Sequence, residues 1–347
     1  MWMILAWLVA PAVHACSRVL YENGKGNAYT GRTMDWFEDM NTKIWAFPKG
    51  MKRDGGLGDG SLRWTSRYGS VVASVYDVAS ADGMNEAGLG ANMLYLAEAD
   101  FGADECEEQK KISVGAWLQY MLDSFGTVKE AVESLRKDNL CVVAPDLPNG
   151  EKTSIHVSLS DAQNNSAIFE YLKGQLVIHE GPQYRVMTNS PPYDQQLALN
   201  EYWQRIGGLT FLPGTNRAAD RFARLSYGLR SVPKVNSSEL SVATVFSLIR
   251  QISVPLGVLD PAKPNQASTL WRSLLDHQDR RYYFEHVKSP SVFWIDLDKL
   301  DLSQNGLVKC VVIDGKDRLL SGEASSNFTV CEPFEFLKPQ GKGDALV

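Results

Sequence analysis

Blocks of strand-forming and helix-forming sequence alternate along this chain, and their order restricts the fold more than any other feature. Residues 17–96 are rich in strand signals. Arg18-Val19-Leu20-Tyr21 runs into a turn at Glu22-Asn23-Gly24-Lys25-Gly26, and strands are expected over 28–36, 43–47 and 70–76. These read as antiparallel hairpins. Helices are expected over 114–124 and 128–137, the second opened by a capping box of Thr127 and Glu130 and burying Ala131, Val132 and Leu135. Strands return at 154–159, 166–172 and 175–179, and Val186-Met187-Thr188-Asn189 follows as a short strand end. Three amphipathic segments come next, over 195–206, 219–232 and 242–252. The last block, 270–275, 282–287, 292–296 and 308–313, has the β-branched and aromatic content of buried strands. The alternation predicts an α+β sandwich, two packed sheets with helical layers outside.

The chemistry is concentrated at one junction near the start. Residues 1–15 carry no Lys, Arg, Asp or Glu, and Ile4-Leu5-Ala6-Trp7-Leu8-Val9-Ala10 is an adequate apolar core for a signal peptide. Val13 and Ala15 meet the small-residue rule for cleavage before Cys16, although the basic start of such a leader is missing. Fifteen residues are too few to span a bilayer as a helix. Cleavage there would leave a thiol and a free α-amine on one residue. That amine, with an ordinary pKa of roughly 7.7 to 8, can act as the base for its own nucleophile, which points to amide hydrolysis. The domain division expected is therefore a signal peptide over 1–15 and one domain over 16–347, exported to the periplasm or secreted. Two other readings stand beside it: a buried N-terminal strand, and a lipoprotein signal that would alkylate Cys16 and leave a non-catalytic exported protein.

Composition narrows the partners. With 35 basic and 41 acidic residues the net charge is −6, which argues against a nucleic-acid partner. A hydrophobic content of 44% supports a large core, and no Pro/Ser-rich linker or charge block divides the chain. Beyond the leader no segment reads as membrane-spanning. Cys106, Cys141, Cys310 and Cys331 form no Cys-x-x-Cys pair, so a zinc site is not expected, and both disulfides and buried thiols remain open.

Four segments supply candidate groups to set beside Cys16. Gly31-Arg32-Thr33-Met34-Asp35-Trp36 lies on the second expected strand, which a hairpin would lay against the first. Arg32 there could favour thiolate and Asp35 could hold the protonated α-amine; a strand-surface ion pair is the plain alternative. Asp82-Gly83-Met84-Asn85-Glu86-Ala87-Gly88-Leu89 reads as a turn feeding a strand that ends at Tyr95. Thr188-Asn189-Ser190-Pro191 ends an apolar strand on an amide that could donate to an oxyanion, or simply form a turn. Arg221, in Asp220-Arg221-Phe222, falls near the start of a helix, where a solvated side chain is the ordinary reading.

Taken together these segments resemble one family, the choloylglycine or linear-amide hydrolases, which comprises bile salt hydrolases and penicillin V acylases. The resemblance runs along essentially the whole chain from Cys16. It implies an N-terminal-nucleophile (Ntn) hydrolase fold, a four-layer αββα sandwich of two antiparallel sheets between helical layers. By the same resemblance Cys16 is the nucleophile and Asp35 positions its α-amine. Arg32 and Arg221 would bias the sulfur toward thiolate, and the Asn189 amide with the Tyr95 backbone N–H would hold the oxyanion. Trp36, Tyr95 and Asp82 would contact a small N-acyl amide substrate, and no metal or cofactor is expected. An aromatic residue at Tyr95 is similar to the acylase branch, where bile salt hydrolases carry Asn. Cys16-Ser17-Arg18-Val19-Leu20-Tyr21, Trp45-Ala46-Phe47-Pro48-Lys49-Gly50 and the short segment between Asn189 and Arg221 are most similar to the Gram-negative penicillin V acylases. That subgroup also cleaves long-chain N-acyl homoserine lactones. Bile salt hydrolysis is the runner-up expectation. The oligomeric state stays open, a homotetramer included, because the subgroup lacks the loop that assembles tetramers in the Gram-positive branch.

Overall fold

Strand Ala28–Trp36 is buried at every residue, which requires cover on both faces of its sheet. In the computed structural model, which describes residues 16–339 except 59, 103–109, 139, 208–209, 258–266 and 314–318, that cover is a second sheet on one side and helices on the other. The expected leader and Cys106 lie outside the described residues.

The first sheet has seven strands in the order Val186–Met187, Ser17–Glu22, Ala28–Trp36, Ser268–Asp276, Arg281–His286, Phe293–Asp296 and Gly322–Glu323. It is antiparallel except at its last pair. The second has nine: Gln175–Glu180, Ser166–Leu172, Ile155–Ser160, Gly90–Tyr95, Ala79–Asn85, Ser70–Val75, Lys43–Phe47, Lys309–Val312 and Thr329–Val330. Helices α1 (Val114–Ser124) and α2 (Val128–Lys137) cover the nine-stranded sheet. On the seven-stranded sheet α3 (Tyr193–Ile206) packs on α4 (Ala218–Ser231), while α4 and α5 (Ser238–Gln251) lie on the strands themselves. The result is the expected αββα sandwich.

Local chemistry accounts for most boundaries. The Thr127 hydroxyl accepts from the Glu130 N–H at 3.2 Å and starts α2, while the Glu130 carboxylate reaches back to the Gly126 N–H at 2.9 Å. Helix α5 begins four residues before the amphipathic pattern suggests, because Ser237 caps it by accepting from the Leu240 N–H at 3.1 Å. Two small strand pairs, Lys52–Asp54 with Arg63–Thr65 and Lys110–Ser113 with Leu140–Val143, were not expected from the sequence.

One expectation is corrected. Residues Asp82 to Asn85 are not turn but the end of the fully buried strand Ala79–Asn85. Gly83 misleads a sequence reading, since a Cβ on it would meet the Val71 carbonyl at 2.6 Å and Val72 Cγ1 at 2.7 Å. The glycine is there for a close approach within the sheet. The turn is confined to residues 86–89, where Gly88 takes φ +83°.

The two sheets meet through polar as well as apolar side chains. Tyr282 donates to Asp82 Oδ1 at 2.7 Å, and Arg32 reaches Asp82 Oδ2 at 3.5 Å, so both strands of the first sheet are tied to the second. Removal of Arg32 or Asp82 would leave the other's buried charge without its ion-pair partner.

Candidate active site

The hairpin formed by Ser17–Glu22 and Ala28–Trp36 places Ser17 opposite Thr33 and Arg18 opposite Arg32, so Cys16 falls beside the Arg32–Asp35 segment. The Cys16 thiol is buried, with Sγ 3.8 Å from the Asp35 carbonyl oxygen and 3.8 Å from Met34 Sδ. Arg32 Nη2 stands 3.9 Å from the sulfur and donates to the Met93 carbonyl at 2.8 Å. Its guanidinium lies 4.6 Å above the Trp271 ring.

Asp35 is completely buried, and each of its oxygens has a hydroxyl donor. Thr269 donates to Oδ1 at 2.6 Å and Thr33 to Oδ2 at 3.2 Å. Thr33 in turn accepts the Ser17 N–H at 3.1 Å, so the carboxylate is coupled to the start of the first strand. Thr269 reaches Asp35 through a local irregularity: the register between the two strands shifts between Thr269 and Trp271. Burial pushes the Asp35 carboxyl up, and Arg221 and the two threonines restrain the rise, leaving it at about 6. The thiol is also raised by burial; Arg32 opposes this most strongly, ahead of a smaller effect from Arg221.

Arg221, fully buried near the start of α4, is a crosslink. Nη1 donates to the Cys16 carbonyl at 2.7 Å and to the Ser17 hydroxyl, Nη2 to Asn189 Oδ1 at 2.8 Å, and Nε to the Asn216 carbonyl at 2.9 Å. A guanidinium can only donate, so Asn189 must present Oδ1 to it. The Asn189 amide nitrogen therefore faces the other way, donating to the Tyr95 carbonyl at 2.8 Å. Arg221 thus ties the Cys16–Ser17 backbone to the Asn189 side chain and fixes which way that amide faces.

A cavity open to solvent lies beside the thiol. Met34, Trp36, Met40, Val75, Met93, Leu94, Tyr95, Leu147, Ile155 and Leu337 supply most of its wall, with Arg32 at the Cys16 end and Lys152, whose side chain is exposed, as the charged members. Trp36 and Tyr95, expected to contact substrate, are among the residues that line it. Asp82 is not: it is fully buried and held by Tyr282, by Asn92 at 2.6 Å and by Arg32. With its carboxylate taken up by these partners and outside the cavity lining, Asp82 contacts Arg32, and the expectation that it contacts substrate is corrected.

Sequence reasoning missed several contributors. Thr33 was within reach, because in a strand it shares a face with Asp35 two residues on. Tyr76, which accepts from Trp36 Nε1 at 2.7 Å and donates to Glu38 at 2.6 Å, lines the cavity and had no signal. Thr269 likewise carries no local mark. Among the described residues no group of three or more His, Cys, Asp or Glu side chains could hold a metal ion, and no helix is long and apolar enough to cross a membrane.

The buried Cys16 thiol beside the Arg32 guanidinium, the oriented Asn189 amide and the largely apolar cavity together make up the candidate site. The chain belongs to the linear amide C–N hydrolases, choloylglycine hydrolase family, whose model matches residues 16–312. It is a hydrolase of carbon–nitrogen bonds in linear amides. It is 44% identical to the penicillin V acylase of Pectobacterium atrosepticum over 345 residues, covering 93% of this chain and 92% of that protein. It superposes on the structure of penicillin V acylase from Agrobacterium tumefaciens with a TM-score of 0.86 at 47% identity, covering 93% of this chain and all of that one. The bile salt hydrolase/transferase of Clostridium perfringens is 25% identical over 315 residues, covering 84% of this chain and 94% of that protein.

Proposed function

We propose that Cys16 becomes the first residue of the working enzyme after export and removal of residues 1–15, and that it cleaves penicillin V-type and long-chain N-acyl homoserine lactone amides. The observation that carries the substrate reading is the cavity: an apolar wall with Trp36 and Tyr95 leads to the thiol, suited to a neutral aryl or alkyl acyl group. The identity to two penicillin V acylases, 44% and 47%, supports the same branch. Export to the periplasm or medium follows from the leader reading.

In this mechanism the free α-amine takes the thiol proton and the sulfur adds to the amide carbonyl. The oxyanion accepts from the second Asn189 amide proton and the Tyr95 N–H. The α-ammonium, held by Asp35, gives its proton to the leaving amine as the C–N bond breaks, leaving a thioester on Cys16. Water then adds to the thioester, its proton passing to the α-amine, and the acid leaves with the thiol restored. Amine and thiol titrate as one coupled pair.

Mass spectrometry of the purified chain, with turnover of penicillin V, a long-chain acyl homoserine lactone and glycocholate measured side by side, tests the proposal. A mature N-terminus at Cys16 and faster cleavage of the first two substrates are expected. Cys16→Ser should lose essentially all turnover. A diacylated Cys16, a fully active chain that retains its leader, or preference for glycocholate would each overturn it.

A further inference from the structure

Strand Val186–Met187 ends its pairing with Ser17–Glu22 at Met187, so Thr188 and Asn189 continue without a ladder to hold them. Side chains replace it. His156 Nε2 lies 2.8 Å from the Thr188 carbonyl, which can only accept, so the ring donates there. The Gln196 amide, on α3, donates to the Asn189 and Ser190 carbonyls, each at 2.9 Å. The carbonyls on both sides of the Asn189 Cα are thereby fixed from outside the chain segment.

Glu170 joins the two supports. Its Oε1 lies 3.0 Å from His156 Nδ1, in hydrogen-bond contact one step along the strand pair from Val157 opposite Phe169. Both oxygens also accept the Tyr193 N–H, at 3.2 and 3.1 Å, at the start of α3, whose N-cap residue Pro192 makes no side-chain cap bond. The carboxylate therefore fixes the ring that holds Thr188 and the helix end that carries Gln196. His179 Nε2, 3.5 Å away, closes the group. Glu170 and His156 are both buried. None of these side chains lines the cavity.

We propose that His156 and Gln196, joined through Glu170, are positioning residues for amide hydrolysis: they hold the Asn189 backbone so that its amide donates where the oxyanion forms. The inference rests on reading Asn189 as an oxyanion donor. Its consequence is selective. A displaced donor weakens the transition state more than the ground state, so kcat falls while KM stays nearly constant.

The test compares His156→Gln, which keeps a donor in reach of the Thr188 carbonyl, with His156→Asn, which keeps one near Glu170 only. Penicillin V hydrolysis is measured per mole of folded protein. The expected result is kcat within threefold of the parent for the first and at least tenfold lower for the second, with KM within threefold in both. Equal kcat in the two variants, or a loss seen in KM alone, overturns the proposal. Should His156→Asn fail to fold, Gln196→Leu gives the same readout, a tenfold or larger fall in kcat at constant KM, and parental kcat there overturns it. Asn189→Ala separates the layers of the argument. Parental kcat in that variant removes the oxyanion reading itself, whereas a hundredfold loss there beside an unaffected His156→Asn removes only the positioning role.

Discussion

Arg221 makes four donor contacts from one planar group, to Cys16, Ser17, Asn189 and Asn216, and no other side chain type could reproduce that set. Arg221→Lys keeps the charge and loses the fork, so kcat for penicillin V should drop at least tenfold while KM changes little; steady-state kinetics checks this. Glu170 gives a pH prediction. Burial raises its carboxyl, but the hydrogen bond with His156, the nearby His179 ring and the Tyr193 N–H outweigh burial and bring it down to about 2, below the ordinary 4.5. A carboxyl depressed in the folded state adds stability that is complete above pH 4.5 and is lost as pH falls toward 2. Between pH 5 and pH 3 the loss is roughly 2 kcal/mol from this group. Urea unfolding at the two pH values should show that Glu170→Gln loses correspondingly less stability than the parent. At this scale the sequence was informative about residue type and poor about role. Asp82 carried the expectation of a substrate contact, yet its partners, Tyr282 and Arg32, come from the opposite sheet and turn it into a buried support.

Among the elements, helices α1 and α2 match the residue ranges expected from periodicity and caps, because those signals are local to each helix. Strand Ala79–Asn85 departs from expectation for a nonlocal reason: Gly83 is small because strand Ser70–Val75 passes against it. Gly83→Ala should therefore cost stability well beyond the small propensity change, about 2 kcal/mol or more, since backbone of the neighbouring strand cannot move aside without breaking its pairing. Chemical denaturation of the purified variant measures it, and a change under 0.5 kcal/mol would contradict the packing argument. The irregular pairing beside Asp35 shows the same principle in a functional setting. The Thr269 hydroxyl accepts from the Val254 N–H at 2.9 Å and donates to Asp35, so the strand, the carboxylate and the segment after α5 are locked together at one residue.

For the molecule as a whole, the Cys310–Cys331 disulfide joins the residue just after the edge strand Thr329–Val330 to the neighbouring strand Lys309–Val312 of the nine-stranded sheet. It closes a loop with a sequence separation of 21, for which chain-entropy arguments give about 3 kcal/mol. The double change of Cys310 and Cys331 to Ser should lower unfolding stability by about that amount and leave kcat as it was, because neither residue lines the cavity. Calorimetry and kinetics on the same preparation test both halves. The sequence by itself determined the alternation of the main strand and helix blocks, the starts of α1 and α2 and the short list of candidate residues. Each of those is encoded in periodicity, caps or motifs that occupy adjacent positions. Only the tertiary structure decided which of them meet: Thr269 on Asp35 across 234 residues, Tyr282 on Asp82 across 200, and Arg221 on the Cys16 carbonyl across 205. Contacts so far apart in the chain form only when sheets and helices pack, and no local pattern of residues records their partners.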